Sequence, residues 1–263
     1  MSRSEYYYKE KQQESEEKEL EKAVVNCFNK NNGNYGRIRI RRELLTRGID
    51  VSEYRIARIL KVHGLVAKSG RTGKKKKPKP TEQQYIEENL IKEKFDVEVP
   101  NYLWCSDISE LKCYRSKIYV CGIIDVATRR IVGWSISKNQ TQRIVQDSLI
   151  MAAGRNPDRP HGAIFHSDRG CQYTAKKTKE LVEKLGFRKS MSRPGTPSDN
   201  QPIESFWKTL KCELTSLSFL KYEEAERRII EYIEMYYNSD RLHSGISYQI
   251  PNDFFTLLTV QKT

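Results

Sequence analysis

The stretch YLWCSDISELKCYRSKIYVCGIIDVATRRIVGWSISK, residues 102–138, constrains the fold more than any other part of the chain. Apolar and polar side chains alternate along it, and Ile, Val, Tyr and Trp are frequent. A period of two on such residues predicts three adjacent antiparallel strands, each with one face buried. Beyond it, TQRIVQDSLIMAAG has helical spacing and GAIFHSD reads as a short buried strand. AKKTKELVEKLG is a helix stopped by Gly186, FRKSMS is another strand, and residues 201–213 and 223–237 are helical. Strands in series followed by alternating strand and helix predict an α/β layered domain with a mixed sheet.

At 263 residues the chain has room for that domain and a smaller one. No apolar run approaches the roughly 18 residues of a membrane span, and the first 19 residues are too polar for a signal peptide. The expectation is a soluble cytoplasmic protein with no membrane partner. Six scattered cysteines form no CxxC pair and four histidines are equally dispersed, so neither structural zinc nor disulfides are expected.

The formal charge of +13 is unevenly spread: residues 1–80 hold 21 Lys and Arg against 10 Asp and Glu, and residues 81–263 hold 26 against 24. A basic segment attached to a nearly neutral domain points to a polyanion-binding module. After a helix over 14–30, YGRIRIRRELLTRGIDVSEYRIARILKVHGL predicts two short helices, near 36–47 and 52–63. Gly48 turns the chain between them and Ser52 is the N-cap. Ile38, Leu44, Leu45, Ile56, Ile59 and Leu60 are expected to share a small core, leaving Arg37, Arg41, Arg42, Arg55 and Arg58 outward. Any helical hairpin gives this pattern. The 15 basic against 3 acidic residues over 31–80 favour a DNA-binding helix-turn-helix whose second helix does the reading. KSGRTGKKKKPKP, 68–80, reads as a linker, with Lys74, Lys75, Lys76 and Lys77 able to follow a DNA backbone or merely to solubilise the tether. A further helical stretch, TEQQYIEENLIKEKF, precedes Pro100.

Three acids carry the chemistry. Asp107 is expected late in the first strand, Asp168 follows AIFHS, and Glu204 lies in the first turn of a helix opened by Pro202. Strand ends and a helix start converge at one edge of a sheet, where α/β sheets bind ligands. Three carboxylates brought together repel unless cations sit among them. Oxygen ligands with open positions suit Mg²⁺ or Mn²⁺, and a pair of such ions, roughly 3.5–4 Å apart, serves in-line phosphoryl transfer. Glu204, Lys208 and Lys211 share one helical face, so the lysines would hold phosphates beside the site; an exposed helix with Glu–Lys pairing would show the same spacing.

The spacing of these acids and their flanks resembles the DDE recombinase superfamily, which includes the retroviral integrase catalytic core. Within it the chain resembles the second-reading-frame transposases of the IS3 family of bacterial insertion sequences. The resemblance rests on YGRIRIRRELLTRGIDVSEYRIARIL, LWCSDIS, IIDVATRRIVGWSIS, FHSDRGCQYT, SRPGTPSDNQPIESFWKTLKCE and YYNSDRLHSGISYQIPNDF. It implies a catalytic and metal-binding triad of Asp107, Asp168 and Glu204 with two Mg²⁺, for which Mn²⁺ substitutes, and DNA contacts from Lys208 and Lys211. It also implies an α/β RNase H-like integrase core, a mixed five-stranded sheet with flanking helices, behind a small all-α helix-turn-helix domain. The domains are then 1–67, DNA-binding; 68–97, basic linker and connecting helix; 98–220, catalytic core; and 221–263, a C-terminal helical extension. The partners implied are double-stranded DNA, meaning the element's terminal repeats and the target, and at least a dimer of the chain in a prokaryotic, nucleoid-associated setting.

Gly170, Gln172, Tyr173 and Asn200 match family positions around the site, and Arg241 and His243 match a terminal YN..R.H block. Asp125 is expected to be structural, pairing Arg129 or Arg130, and His166 to pack near the site. Gln201 stands where the family commonly has a small residue. The family's first-frame product, a possible partner in end recognition, is absent from the chain, as is the zinc module that opens retroviral integrases. Two readings compete with a recombinase: a metal nuclease of the same fold, and a DNA-binding regulator derived from a transposase.

Overall fold

A computed structural model describes residues 3–68, 87–91 and 95–260. The chain divides into two compact units, Met1–Arg71 and Thr72–Thr263. Among the described residues no helix is long and apolar enough to cross a membrane.

Among the described residues the first unit holds three helices, α1 (Arg3–Lys30), α2 (Arg37–Thr46) and α3 (Glu53–Val62). α1 begins well before the expected residue 14. Gly48, at φ +77°, makes the turn between α2 and α3, a conformation that a β-carbon would strain. The Ser52 hydroxyl accepts the Arg55 amide at 3.3 Å and so caps α3. The small core differs from the expected one: Ile40 is buried beside Leu44, Ile56, Ile59 and Leu60, while Ile38 and Leu45 are exposed. α1 supplies the reason. Its Val24, Cys27 and Phe28 are buried too, and with α1 packed on α2 and α3 the inward line of α2 becomes Ile40 and Leu44, one turn apart.

The second unit is built on five strands: β1 (Leu103–Cys113), β2 (Ser116–Asp125), β3 (Ile131–Ser137), β4 (Ile164–Ser167) and β5 (Arg188–Met191). Their order is β3-β2-β1-β4-β5. β1, β2 and β3 are antiparallel, whereas β4 lies parallel to both β1 and β5. The sheet is thus mixed and five-stranded, as expected. Strand alternation sorts its side chains into two cores. Trp104, Cys121, Ile123 and Val132 pack with α4 (Gln142–Arg155) and α6 (Lys176–Lys184). Leu103, Cys105, Ile118 and Ile124 pack with α7 (Gln201–Glu213) and α8 (Tyr222–Glu231). A short helix α5 (Cys171–Thr174) precedes α6, and α9 (Pro251–Val260) ends the described chain.

The helix expected before Pro100 is not there in its described parts: residues 87–91 and 95–99 carry no helix. Backbone pairing explains the outcome. Glu88 accepts the Met191 amide at 3.4 Å and the Leu90 amide donates to Ser190 Oγ at 3.0 Å, so this segment runs beside β5. The lysine-rich stretch holding Lys74, Lys75, Lys76 and Lys77 lies outside the described residues.

The C-terminal block is tied into the same unit. After α8 a π-helical turn, Tyr232–Tyr237, leads to Asn238, whose side-chain amide exchanges two 2.9 Å hydrogen bonds with the Ile131 backbone. Asn238 thereby satisfies the start of edge strand β3 as a neighbouring strand would. Arg241, buried, forks onto Glu213 at the end of α7 (Nη2 to Oε1 2.8 Å, Nε to Oε1 3.1 Å), and the Tyr232 hydroxyl donates to the same carboxylate at 2.8 Å. His243 accepts the Gly245 amide on Nδ1 at 3.0 Å and closes a local turn.

Candidate active site

The parallel pairing of β1 with β4 explains the spacing of the two aspartates. Each β4 residue lies 61 positions after its partner, from Leu103 with Ile164 to Ser106 with Ser167. Asp107 and Asp168 continue that register by one step, at the point where β4 ends. They therefore emerge side by side at the carboxyl edge of β4. β1 continues to Cys113, paired with β2 along that length, so Asp107 sits mid-strand and not late in it as expected.

Glu204 arrives from a different direction. A 3-10 turn, Pro197–Asn200, leads into α7 with Pro202 in its first turn, where a missing amide hydrogen costs nothing. Asn200, 4% exposed, donates its Nδ2–H to the Ser106 carbonyl at 2.9 Å. That bond fastens the start of α7 to β1 one residue before Asp107, and Glu204 follows one turn later. Asp107, Asp168 and Glu204 line one cavity of ≈ 280 Å³, together with Arg169, Ser192, Arg193 and Asn200.

The cavity is electrostatically tense. Asp107 is half-buried, and its carboxyl is pushed up to about 7, first by burial and then by the charges of Asp168 and Glu204. Burial also raises the Asp168 carboxyl, although it opens to solvent on one side; the Gly170 amide opposes the rise by donating to Oδ1 at 2.9 Å. A β-carbon at Gly170 would stand 3.0 Å from that oxygen, so the position favours glycine. Among the described residues, no group of three His, Cys, Asp or Glu side chains could hold a metal ion as placed. The carboxylates share a wall without being gathered into a closed ligand cage.

Several family-matching residues support this edge. Tyr173, buried on α5, shares a 2.9 Å hydrogen bond with Ser106 Oγ beneath the site, and Gln172 donates to the Gln140 carbonyl at 3.1 Å. His166 is fully buried between Ser190 (2.8 Å) and Ser192 (3.0 Å), and burial pushes its imidazole down to about 4. It joins β4 to β5 as a neutral ring and does not line the cavity.

Asp125 is fully buried away from the cavity; the Arg130 charge favours its ionised form, as expected of a pair, but its hydrogen bonds go to other groups. Its oxygens accept the Asn101 amide (3.0 Å), the Thr128 amide (3.2 Å) and the Thr128 hydroxyl (2.6 Å). Neither the Arg129 nor the Arg130 side chain hydrogen-bonds it, because the turn after β2 folds Thr128 back onto the carboxylate first.

Lys208 and Lys211 are exposed on α7 beyond Glu204 and do not line the cavity. Arg169 and Arg193 do, and the charge pattern overlooked them. Each is the second residue after a strand, in SDRG and SRPG, which was the available signal. Arg169 donates to the Ser192 carbonyl at 2.7 Å. Arg193 grips Asp199 through its amide (2.7 Å), Nε (3.0 Å) and Nη2 (2.8 Å), closing the loop that precedes α7.

In the first unit the five arginines remain at the surface, Arg41 half-buried, but several are engaged. Arg55 and Arg58 on α3 both face Glu17 of α1, at 3.6 and 2.9 Å. Arg37 pairs with Glu53 at 3.3 Å and Arg41 with Asp50 at 3.5 Å, and Arg42 also has an interaction partner.

Comparison with known proteins shows the family of the chain. Two family models described as an integrase core domain match residues 98–197 and 185–251, and a model described as an HTH-like domain matches 14–73. The transposase for insertion sequence element IS904 of Lactococcus lactis is 36% identical over 243 residues, 92% of this chain and 95% of that protein. An insertion element IS600 31 kDa protein of Shigella sonnei is 35% identical over 97% of this chain and 94% of its own length. Transposase InsF for insertion sequence IS3A of Escherichia coli is 32% identical over 88% of this chain and 80% of that one. Among solved structures, the BIV integrase catalytic core domain is 18% identical, covers 62% of this chain and 98% of that one, and overlays with a TM-score of 0.44. With relatives of this identity along nearly its whole length and both domain models in order, the chain belongs to the IS3 family of insertion-sequence transposases.

Proposed function

We propose that Asp107, Asp168 and Glu204 are the catalytic carboxylates of a transposase that cuts the DNA end of its element and joins the freed 3′-hydroxyl to another phosphodiester. The observation that carries this reading is the register of β1 and β4, which sets two aspartates side by side in one cavity with the glutamate of α7. The donor set fits divalent cations: three carboxylates share the cavity, and mutual repulsion helps to hold Asp107 partly protonated near neutral pH. These three would hold two Mg²⁺ or Mn²⁺. Such ions, when bound, neutralise the phosphodiester and activate the attacking oxygen.

The chain's own residues do the rest by positioning. Asn200 sets the start of α7 against β1, and the Gly170 amide fixes one oxygen of Asp168. Arg169 brings positive charge to the rim, where a scissile phosphate would enter, and Arg193, paired with Asp199, shapes the loop beside it. Lys208 and Lys211 hold the flanking strand. No protein nucleophile is required, because water attacks first and the DNA hydroxyl second.

Residues 1–67 are assigned to reading the element ends, with α3 as the reading helix. Arg37, Arg41, Arg42, Arg55 and Arg58 neutralise phosphates there, with Lys74, Lys75, Lys76 and Lys77 on the tether. Two ends brought together require at least a dimer, and the first-frame product is a further candidate partner. Glu17 competes with phosphate for Arg55 and Arg58. Glu17→Gln is therefore expected to tighten binding of terminal-repeat DNA by about three- to tenfold at low salt, with the gain shrinking as salt screens the contact. Fluorescence anisotropy over a salt series reads this.

The wild-type test separates the recombinase from its competitors. With a labelled terminal-repeat end, an unlabelled target and Mg²⁺, a transposase yields longer, joined strands. A nuclease yields only shortened strands, and a regulator binds without changing either.

A further inference from the structure

The catalytic helix carries a large side chain whose polar atom the packing does not explain. Trp207 lies three residues after Glu204, buried among Ile203, Phe206 and Leu210. Its indole Nε1 is buried and, among the described residues, makes no hydrogen bond. Asp107 is the acid it acts on: the indole lowers the proton affinity of that carboxylate, although the two form no hydrogen bond of ordinary geometry. A buried N–H left without an acceptor is costly, and phenylalanine would fill an apolar slot without that cost.

Backbone evidence points the same way. Gly122 stands directly across β2 from Asp107 in the strand register. A β-carbon there would lie 3.1 Å from both Cη2 and Cζ2 of the indole. The glycine thus lets the ring settle onto the sheet beside the aspartate. Cζ2 belongs to the edge of the ring next to the N–H, so that edge lies against the strand position paired with Asp107.

We infer that Trp207 is a positioning residue for Asp107: its indole N–H is the donor that engages one carboxylate oxygen and leaves the other turned to the cavity. The inference rests on Asp107 being a metal-binding carboxylate, as proposed above. It adds a distinct claim, that the orientation of this acid depends on one N–H from the helix that carries Glu204. Outer hydrogen bonds of this kind tune how tightly a ligand holds its metal.

The test uses the full chain as wild type, Trp207→Phe, Gly122→Ala and Asp107→Asn. Mn²⁺ binding is followed by the free-ion paramagnetic resonance signal, alongside thermal unfolding, DNA affinity and the Mg²⁺ dependence of joining. Trp207→Phe is expected to weaken Mn²⁺ binding about tenfold and to raise the Mg²⁺ concentration for half-maximal joining by the same factor, with DNA affinity unchanged. A folded Trp207→Phe protein with wild-type Mn²⁺ affinity and Mg²⁺ dependence overturns the inference. So does a variant that loses thermal stability alone, since that is what a packing role would show. Should Trp207→Phe not fold, Gly122→Ala keeps the N–H but displaces the ring, and unchanged Mn²⁺ binding there overturns the inference equally. Asp107→Asn separates the two claims. If it keeps Mn²⁺ binding and joining, the carboxylate reading itself fails; if it loses both while Trp207→Phe behaves as wild type, only the indole's role fails.

Discussion

Asp107→Asn is expected to abolish DNA joining, by ~10³-fold or more, and at the same time to make the metal-free protein more stable. The two effects have one cause. The Asp107 carboxyl titrates at about 7 in the folded protein, raised by burial and by Asp168 and Glu204, against an ordinary aspartate near ~3.9 in the unfolded chain. Between those values the folded state holds a proton that the unfolded state has released. Stability from this group therefore falls as pH rises from ~4 to ~7, and the full penalty persists above ~7. An asparagine of the same shape removes it. Discounted for partial exposure, the gain at pH 8 is about 1–2 kcal/mol, which is a rise of roughly 2–8 °C in Tm for a unit of this size. Thermal melts of both proteins from pH 4 to 8 check this: the curves should meet near pH 4 and separate towards pH 8. A variant less stable than wild type at pH 8 would mean that burial and the neighbouring acids do not disfavour the Asp107 carboxylate.

Arg241→Ala is expected to be the most destabilising single change in the C-terminal block. Arg241 and Glu213 are 4% and 8% exposed and share three hydrogen bonds, with Tyr232 donating a fourth to the same carboxylate. Burial works against the guanidinium charge, but Glu213 more than offsets it and raises the Arg241 pKa. Removing one partner strands a buried charge, which costs about 3–5 kcal/mol. Arg241→Met with Glu213→Met removes both charges and should be milder than either single truncation. Urea unfolding of the three variants measures the difference. If Arg241→Ala were as stable as wild type, the pair would not be what fastens the YYNSDRLH segment to the end of α7.

The aspartates were legible in the sequence for a reason the fold makes plain. A spacing of 61 is the β1–β4 register itself, so the pair is encoded in chain length between two strands. Ser52 and Gly48 were legible because capping and left-handed turns are local matters. The remainder depended on partners distant in the chain. Ile40 displaced Ile38 and Leu45 in the small core because α1 covers that side of α2. Glu17, about 40 positions away, occupies the arginines of α3. Residues 87–91 follow an edge of the sheet, a pairing that no helical spacing reveals. Nothing in the local spacing of α7 marks Trp207. Its relation to Asp107 depends on a glycine in another strand.

The central claim is that Glu204 completes a catalytic set with Asp107 and Asp168. The most direct test is joining of a labelled terminal-repeat oligonucleotide in Mg²⁺ and in Mn²⁺, comparing wild type with Glu204→Gln at matched DNA occupancy. The account predicts joined strands from the wild type and none from the variant, with DNA binding equal in both. Joining by Glu204→Gln at the wild-type rate would contradict it.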